Sequence, residues 1–137
     1  MHAEAGERRL PHWHELSGVL LGGRGPDHPI TGLARVLAKL HSKRWPRRRR
    51  AVADVRRRAV IDAIDMWVAA DLGTPGIPAG ALIDEMARAG AQARQLLATT
   101  DPSSDAVHAA WTALATLADQ WPALVQHLAI PYSIEAR

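Results

Sequence analysis

Histidines and carboxylates are the side chains of this 137-residue chain that could support catalysis or bind a metal ion. His12 and His14 lie two positions apart, a spacing that on a helix turns the two imidazoles about 200° away from each other. Zinc needs ligands that converge on one point, so this pair does not predict a metal site. The absence of cysteine excludes thiolate nucleophiles, disulfide bonds and cysteine-ligated zinc.

Two carboxylate pairs, Asp62/Asp65 and Asp84/Glu85, could supply acid and base groups inside a helical bundle. The Glu-x-x-His motifs that complete such dinuclear sites are absent, so solvated surface pairs are the better interpretation. His41 falls on the apolar face of a predicted helix, which favours a hydrogen-bonded core histidine over a catalytic base. No set of groups converges, and we therefore expect a protein that is not an enzyme and binds no cofactor.

Arginine is concentrated in one segment, 47–58, which contains seven arginines. Four of them, Arg47 to Arg50, open a predicted helix, although a helix N-terminus carries roughly +0.5 of a charge and favours acidic side chains. An anionic partner would relieve this unfavourable placement. The alternative is a solvated, frayed first turn in which the aliphatic stems of the arginines cover apolar surface.

The net charge of +3 hides a separation of charge along the chain. Between Arg35 and Arg58 there are eleven basic residues and one acid, Asp54, whereas the segment from Ala59 onward has three arginines and nine carboxylates. Such an arrangement steers anionic partners toward one region of the molecule.

Two hypotheses use this basic region, which extends over residues 35–58. In the first, the protein binds nucleic-acid phosphates, with a tryptophan that can stack on bases. The absence of a helix-turn-helix pattern favours recognition of the backbone over readout of base sequence. In the second, the same region docks on an acidic protein surface, as an adaptor or a phage-encoded modulator. The predicted contact residues are Lys39, Lys43, Arg44, Trp45, Arg47, Arg48, Arg49, Arg50, Arg56 and Arg57.

The apolar periodicity predicts an all-α fold, a four- or five-helix bundle with a long central helix at about 47–72. Other helices are predicted over 9–21, 29–45 and 79–98, and from Ser103 or Ser104 as N-cap to residue 128. Asp27 is predicted to cap the second helix, and the Gly22-Gly23 segment to be a flexible linker. Asp54, Arg58 and Asp62 have the i,i+4 spacing of a solvated ion-pair ladder.

The predicted domain organisation is a mobile segment 1–8, one helical domain 9–128 and an irregular tail 129–137. Pro122 predicts a kink or a restart of the last helix. The apolar seam of 103–128 predicts packing within the chain, or alternatively a homodimer. No apolar run is long enough to span a membrane and the N-terminus lacks a signal-peptide core, so we expect a cytoplasmic protein.

An ordered set of short motifs between residues 28 and 72 resembles an uncharacterised all-helical family of actinobacteria and their phages, a domain of unknown function. The motifs are His28-Pro29, Leu40-His41, Arg57-Arg58, Ile61-Asp62, Ile64-Asp65, Trp67-Val68 and Leu72. The family continues into a helix with an opening rich in His, Thr and Glu, where this chain reads ALIDEMARAG, with Glu85 and Gly90 as counterparts. The resemblance implies a helical fold and transfers no site residues.

Overall fold

The computed structural model describes residues 10–73 and 76–135, with side chains described as far as residue 126. Five α-helices follow one another: α1 Trp13–Leu20, α2 Pro29–Ser42, α3 Arg50–Leu72, α4 Ala79–Thr99 and α5 Asp105–Glu135. A 3₁₀ turn, Arg47–Arg49, precedes α3. The described ranges contain no β-strand, and the helices pack on one another, which confirms the predicted all-α bundle. The predicted mobile segment 1–8 lies outside the described residues.

The central helix of the bundle is α4, which contacts each of the other four helices. The prediction that the helix at 47–72 is central was therefore wrong. The buried residues of α3 are only Val60, Ile64 and Val68. α4 instead takes the central position because its small residues let neighbouring backbones approach: a Cβ on Gly80 would collide with the carbonyl oxygen of Ile61 on α3.

The N-cap residues of the first two helices are both histidines. The Glu15 carboxylate accepts a hydrogen bond from the backbone N–H of His12, at 2.8 Å, just before α1. At the start of α2, His28 Nδ1 accepts from the N–H of Ile30 at 3.0 Å, and Pro29 is the first helical residue. His28, and not the predicted Asp27, is thus the N-cap of α2. Its ring is buried against Trp67 of α3, with the two ring centroids 5.0 Å apart, which explains why the cap lies at this position.

α5 is a single helix that runs through Pro122 and continues to Glu135. Of the two alternatives predicted at Pro122, a kink or a restart, the continuous helix excludes the restart, and the irregular tail predicted over residues 129–135 was wrong. Proline removes one intrahelical hydrogen bond, but the exposed Pro122 does not end the helix here. At the other end, Ser104 Oγ accepts from the N–H of Val107 at 3.3 Å, which confirms the predicted serine N-cap.

The apolar seam of α5 packs inside the chain. Val107, Leu114 and Ala118 are buried, and α4 is the main neighbour of α5. Trp121 is 1% exposed, and its indole N–H donates to the carbonyl oxygen of Pro11 at 2.9 Å. A homodimer through 103–128 would therefore have to use the other faces of this helix.

No helix in the described part of the chain combines the length and the apolar content needed to cross a membrane.

Candidate anion-binding groove

A groove runs between the C-terminal half of α2 and the C-terminal half of α4. It consists of two adjoining cavities of about 760 and 250 Å³ that share Ser42, Lys43 and Arg94. The cationic side chains along it are Arg35, Lys39, Lys43, Arg44 and Arg94. No aspartate or glutamate lines either cavity. We call this feature the cationic groove.

The periodicity of α2 places the cations on the groove side. Arg35, Lys39 and Lys43 recur at steps of four residues, so they lie along one side of α2 and its C-cap, opposite the buried Ile30 and Leu37. Lys43 is the C-cap itself and has extended backbone geometry, which directs the chain away from the helix axis and toward the 3₁₀ turn. The basic side of α2 thus continues into the arginine-rich turn.

Arg94 reaches the cationic groove from α4 and lies against the turn that follows α1. A Cβ on Gly22 would be 3.2 to 3.3 Å from the Arg94 guanidinium, so the turn and this side chain are in close approach. Gly22 has φ of +90°, and the N–H of Gly23 donates to the carbonyl oxygen of Gly18 at 2.6 Å. The Gly22-Gly23 segment is therefore a hydrogen-bonded turn that forms one wall of the cationic groove, and the prediction of a flexible linker was wrong.

The charges of the cationic groove are not neutralised within the described residues. Every side-chain ion pair among the described residues involves either Asp84 or Asp54. None of these pairs includes one of the five cations of the groove. Lys43 Nζ lies 5.6 Å from the centroid of the Trp45 ring, a contact that leaves its charge in place. A concave surface with uncompensated positive charge concentrates anions in its vicinity.

The four consecutive arginines lie beyond one end of the cationic groove. Arg47, Arg48 and Arg49 form the 3₁₀ turn and Arg50 begins α3, and all four are exposed. Only Arg50 makes a described side-chain hydrogen bond, from Nε to the carbonyl oxygen of Trp45, at 3.4 Å. Since Arg47 follows Arg44 by three residues, their Cα atoms are at most about 11 Å apart. The turn therefore extends the cationic surface without lining the groove.

Beside the cationic groove, Asp84 is buried between one histidine and two arginines from three helices. His41 Nε2 and Arg57 Nη1 each lie 2.7 Å from one of its carboxylate oxygens, and Arg88 Nη2 lies 3.7 Å away. Asp84 is only 4% exposed. We call these four residues the Asp84 cluster. The surface pair predicted for Asp84/Glu85 was thus wrong for Asp84, because α4 is the central helix and turns this residue toward α2 and α3.

Burial alone would raise the pKa of Asp84. The hydrogen bond and charge of His41, together with the Arg57 guanidinium, outweigh that effect and hold the pKa of Asp84 below its ordinary value. The carboxylate therefore stays ionised and fixes the orientation of His41. The prediction that His41 is hydrogen-bonded within the fold is confirmed.

Two of the predicted contact residues have structural roles. Arg57 is the half-buried partner of the buried Asp84 and also lies 3.8 Å from Asp54. Trp45 is half-buried against the core, and its indole N–H donates to the carbonyl oxygen of Leu40 at 2.9 Å. This hydrogen bond holds the connection between α2 and the 3₁₀ turn. Arg56, by contrast, is exposed on α3.

The structure brings together Lys39, Lys43 and Arg44 of the predicted set, and it adds Arg35 and Arg94. The spacing of Arg35 from Lys39 on α2 could have identified the first of these. Arg94 carried no such signal, because it lies in the acidic half of the sequence and reaches the cationic groove only through the packing of α4. Among the described residues, no group of three or more histidines and carboxylates is placed to hold a metal ion.

Comparison of the chain with family models, with curated proteins and with solved structures finds no match. The resemblance to the actinobacterial and phage family therefore stays a prediction.

Proposed function

We propose that this protein binds nucleic acid through the phosphate backbone, with the cationic groove at the centre of the contact surface. The observation that carries the proposal is the set of five cations, free of carboxylate partners, along one concave surface. Phosphate contacts by lysine and arginine supply most of the affinity of proteins that bind nucleic acid without reading its sequence.

The arginine-rich turn extends this surface. The 3₁₀ turn, Arg47–Arg49, begins three residues after Arg44. A nucleic-acid backbone bound in the cationic groove therefore passes close to these arginines. Arg50 and Arg56 lie farther along α3 and contribute at longer range. Arg57 and Trp45 act in this proposal as supports, since both side chains are engaged within the fold.

The proposal is tested by fluorescence anisotropy of labelled duplex and single-stranded DNA titrated with the protein at several salt concentrations. Contacts from the five groove cations predict a log-log salt slope of about −4.5 on duplex DNA and about −3.5 on single strands. The variant Lys43→Ala/Arg94→Ala should weaken binding and reduce the magnitude of the duplex slope by about 2. The single variant Arg94→Ala is compared with Arg24→Ala, which removes one exposed arginine that lines neither cavity and is its charge-matched control.

Two results would contradict the proposal. One is the absence of binding at low salt. The other is a Lys43→Ala/Arg94→Ala variant with the same affinity and salt slope as the unsubstituted protein.

A second candidate, docking on an acidic protein segment, is favoured by the apolar wall of the same groove. Ala91, Ala98 and the 45% exposed Leu97 lie beside the cations. Protein partners use such apolar anchors, whereas phosphates do not. Leu97→Ser would then weaken binding of an acidic peptide and leave DNA binding unchanged, so this variant separates the two functions.

A further inference from the structure

The outer face of α3 carries an apolar stripe that nothing in the described chain covers. Val52, Val55 and Met66 are 65%, 71% and 70% exposed. At 3.6 residues per turn, these three and Ala59 fall within an arc of about 60°. Val55 lies about 180° around the helix from the buried Ile64, so the stripe points directly away from the core. Large exposed apolar side chains grouped in this way are typical of an interaction surface.

Charges of both signs lie beside the middle of this stripe. Arg58 and Asp62 are exposed along one edge of it, and the exposed Arg56 lies along the other edge. Arg58 and Asp62 were predicted to form a ladder with Asp54, but in the described chain Asp54 pairs with Arg57, and neither Arg58 nor Asp62 has an ion-pair partner. Both therefore remain available to a partner molecule.

A second copy of α3 in antiparallel orientation would cover the apolar stripe and pair the charges beside it. Val52 and Met66 are each seven residues from Ala59, so a two-fold axis at Ala59 sets Val52 of one copy opposite Met66 of the other. The small side chain of Ala59 at the axis allows the two helices to approach closely. Arg58 and Asp62 lie on the same edge of the stripe, about 40° apart, so they fall within reach of Asp62 and Arg58 of the other copy.

We propose that the protein forms a two-fold homodimer through the outer face of α3, with antiparallel helices, the stripe Val52, Val55, Ala59 and Met66 at its centre, and reciprocal Arg58–Asp62 pairs at its edge. This dimer does not depend on the proposed nucleic-acid binding, because the cationic groove lies between α2 and α4. It replaces the seam of α5 as the surface for self-association.

The test is sedimentation equilibrium across a wide range of protein concentrations. We expect a species of twice the 14.9 kDa chain mass that dissociates on dilution. Val55→Ser/Met66→Ser should raise the dimer dissociation constant at least about a hundredfold, because each apolar side chain is buried twice in a two-fold interface. Val36→Ser, which changes a 37% exposed valine on α2, is the matched control and should leave the dimer unchanged.

A charge exchange tests the orientation separately. Arg58→Asp places like charges together and should raise the dissociation constant about tenfold, and Arg58→Asp/Asp62→Arg should restore it. Circular dichroism of every variant checks that the helices persist. A protein that stays monomeric at all concentrations would overturn the proposal. So would a dimer that survives Val55→Ser/Met66→Ser, or a failure of the double exchange to restore association.

Discussion

Asp84 stabilises the contact between three helices through its own charge. Its two carboxylate oxygens are bound to His41 of α2 and Arg57 of α3. A buried carboxylate of this kind is tolerated because its partners compensate for the lost hydration. Removal of one member of the cluster leaves the charge of its partner without compensation. The Asp84 cluster is thus a structural feature that also holds His41 at the edge of the cationic groove.

Asp84→Asn should lower the free energy of unfolding by about 3–5 kcal/mol, because it leaves the Arg57 guanidinium half-buried without its counter-ion. Urea unfolding measures the difference. The matched control is Glu85→Gln, at the exposed neighbouring position, where we expect a change within about 0.5 kcal/mol. Equal effects of the two substitutions would contradict the role of the Asp84 cluster.

Asp84→Asn should also change the dependence of the free energy of unfolding on pH. The pKa of Asp84 is lower in the folded than in the unfolded chain, where its ordinary value is 3.8. The folded state therefore binds fewer protons, and the contribution of Asp84 is full above pH 3.8 and is lost as the pH falls through the lowered value. Unfolding curves in acid should show this loss in the unsubstituted protein and not in Asp84→Asn.

At the scale of elements, the position of α4 depends on its glycines. Gly80 contacts the backbone of Ile61, and its N–H donates to Asp65 Oδ1 at 2.8 Å, so α3 packs directly on the backbone of α4 at this position. Gly90 has a more ordinary environment, since a Cβ there would lie 3.5 Å from the side chain of Leu21. The contact at Gly80, near the N-terminal end of α4, is therefore tighter than the contact at Gly90.

Two glycine substitutions separate helix propensity from packing. Gly80→Ala should destabilise the fold by about 1–3 kcal/mol, because the new methyl group forces the Ile61 backbone away. Gly32→Ala in α2 adds the same group where nothing lies within 4 Å, so it should stabilise by about 0.5–1 kcal/mol. Thermal unfolding of both variants provides the comparison. Stabilisation by Gly80→Ala would show that the close contact does not restrain α4.

At the scale of the whole molecule, the arginine-rich turn adds charge and little packing. None of Arg47 to Arg50 is buried, and their positive charges oppose the dipole of α3. The protein therefore retains a local electrostatic conflict that a bound polyanion would relieve.

Replacement of Arg47 to Arg50 by alanine should leave the fold intact and raise the stability of α3 by a few tenths of a kcal/mol. The same variant should bind DNA more weakly, with a smaller salt slope. Circular dichroism melting and anisotropy are measured on one preparation. Loss of folding would instead assign the turn a structural role, and unchanged DNA binding would confine the contact to the cationic groove.

The sequence by itself determined the helices and the location of the positive charge. The 3.6-residue periodicity and the turn residues predicted helices close to all five that are observed, since these signals are local. It also predicted part of the cationic groove, because Lys39, Lys43 and Arg44 are near neighbours along α2 and its end. The seven arginines of 47–58 were likewise evident, although their partner was not.

Only the tertiary structure decided which helix is central, which charges are internal and which are free. Apolar content predicted a central α3, but small residues let α4 pack on every other helix. The periodicity of apolar residues carries no information on how closely two helix backbones can approach. His41 and Asp84 are 43 residues apart, and Arg94 lies in an acidic segment. Their contacts arise from helices that meet in space, because electrostatic pairing depends on distance between atoms and not on separation along the chain.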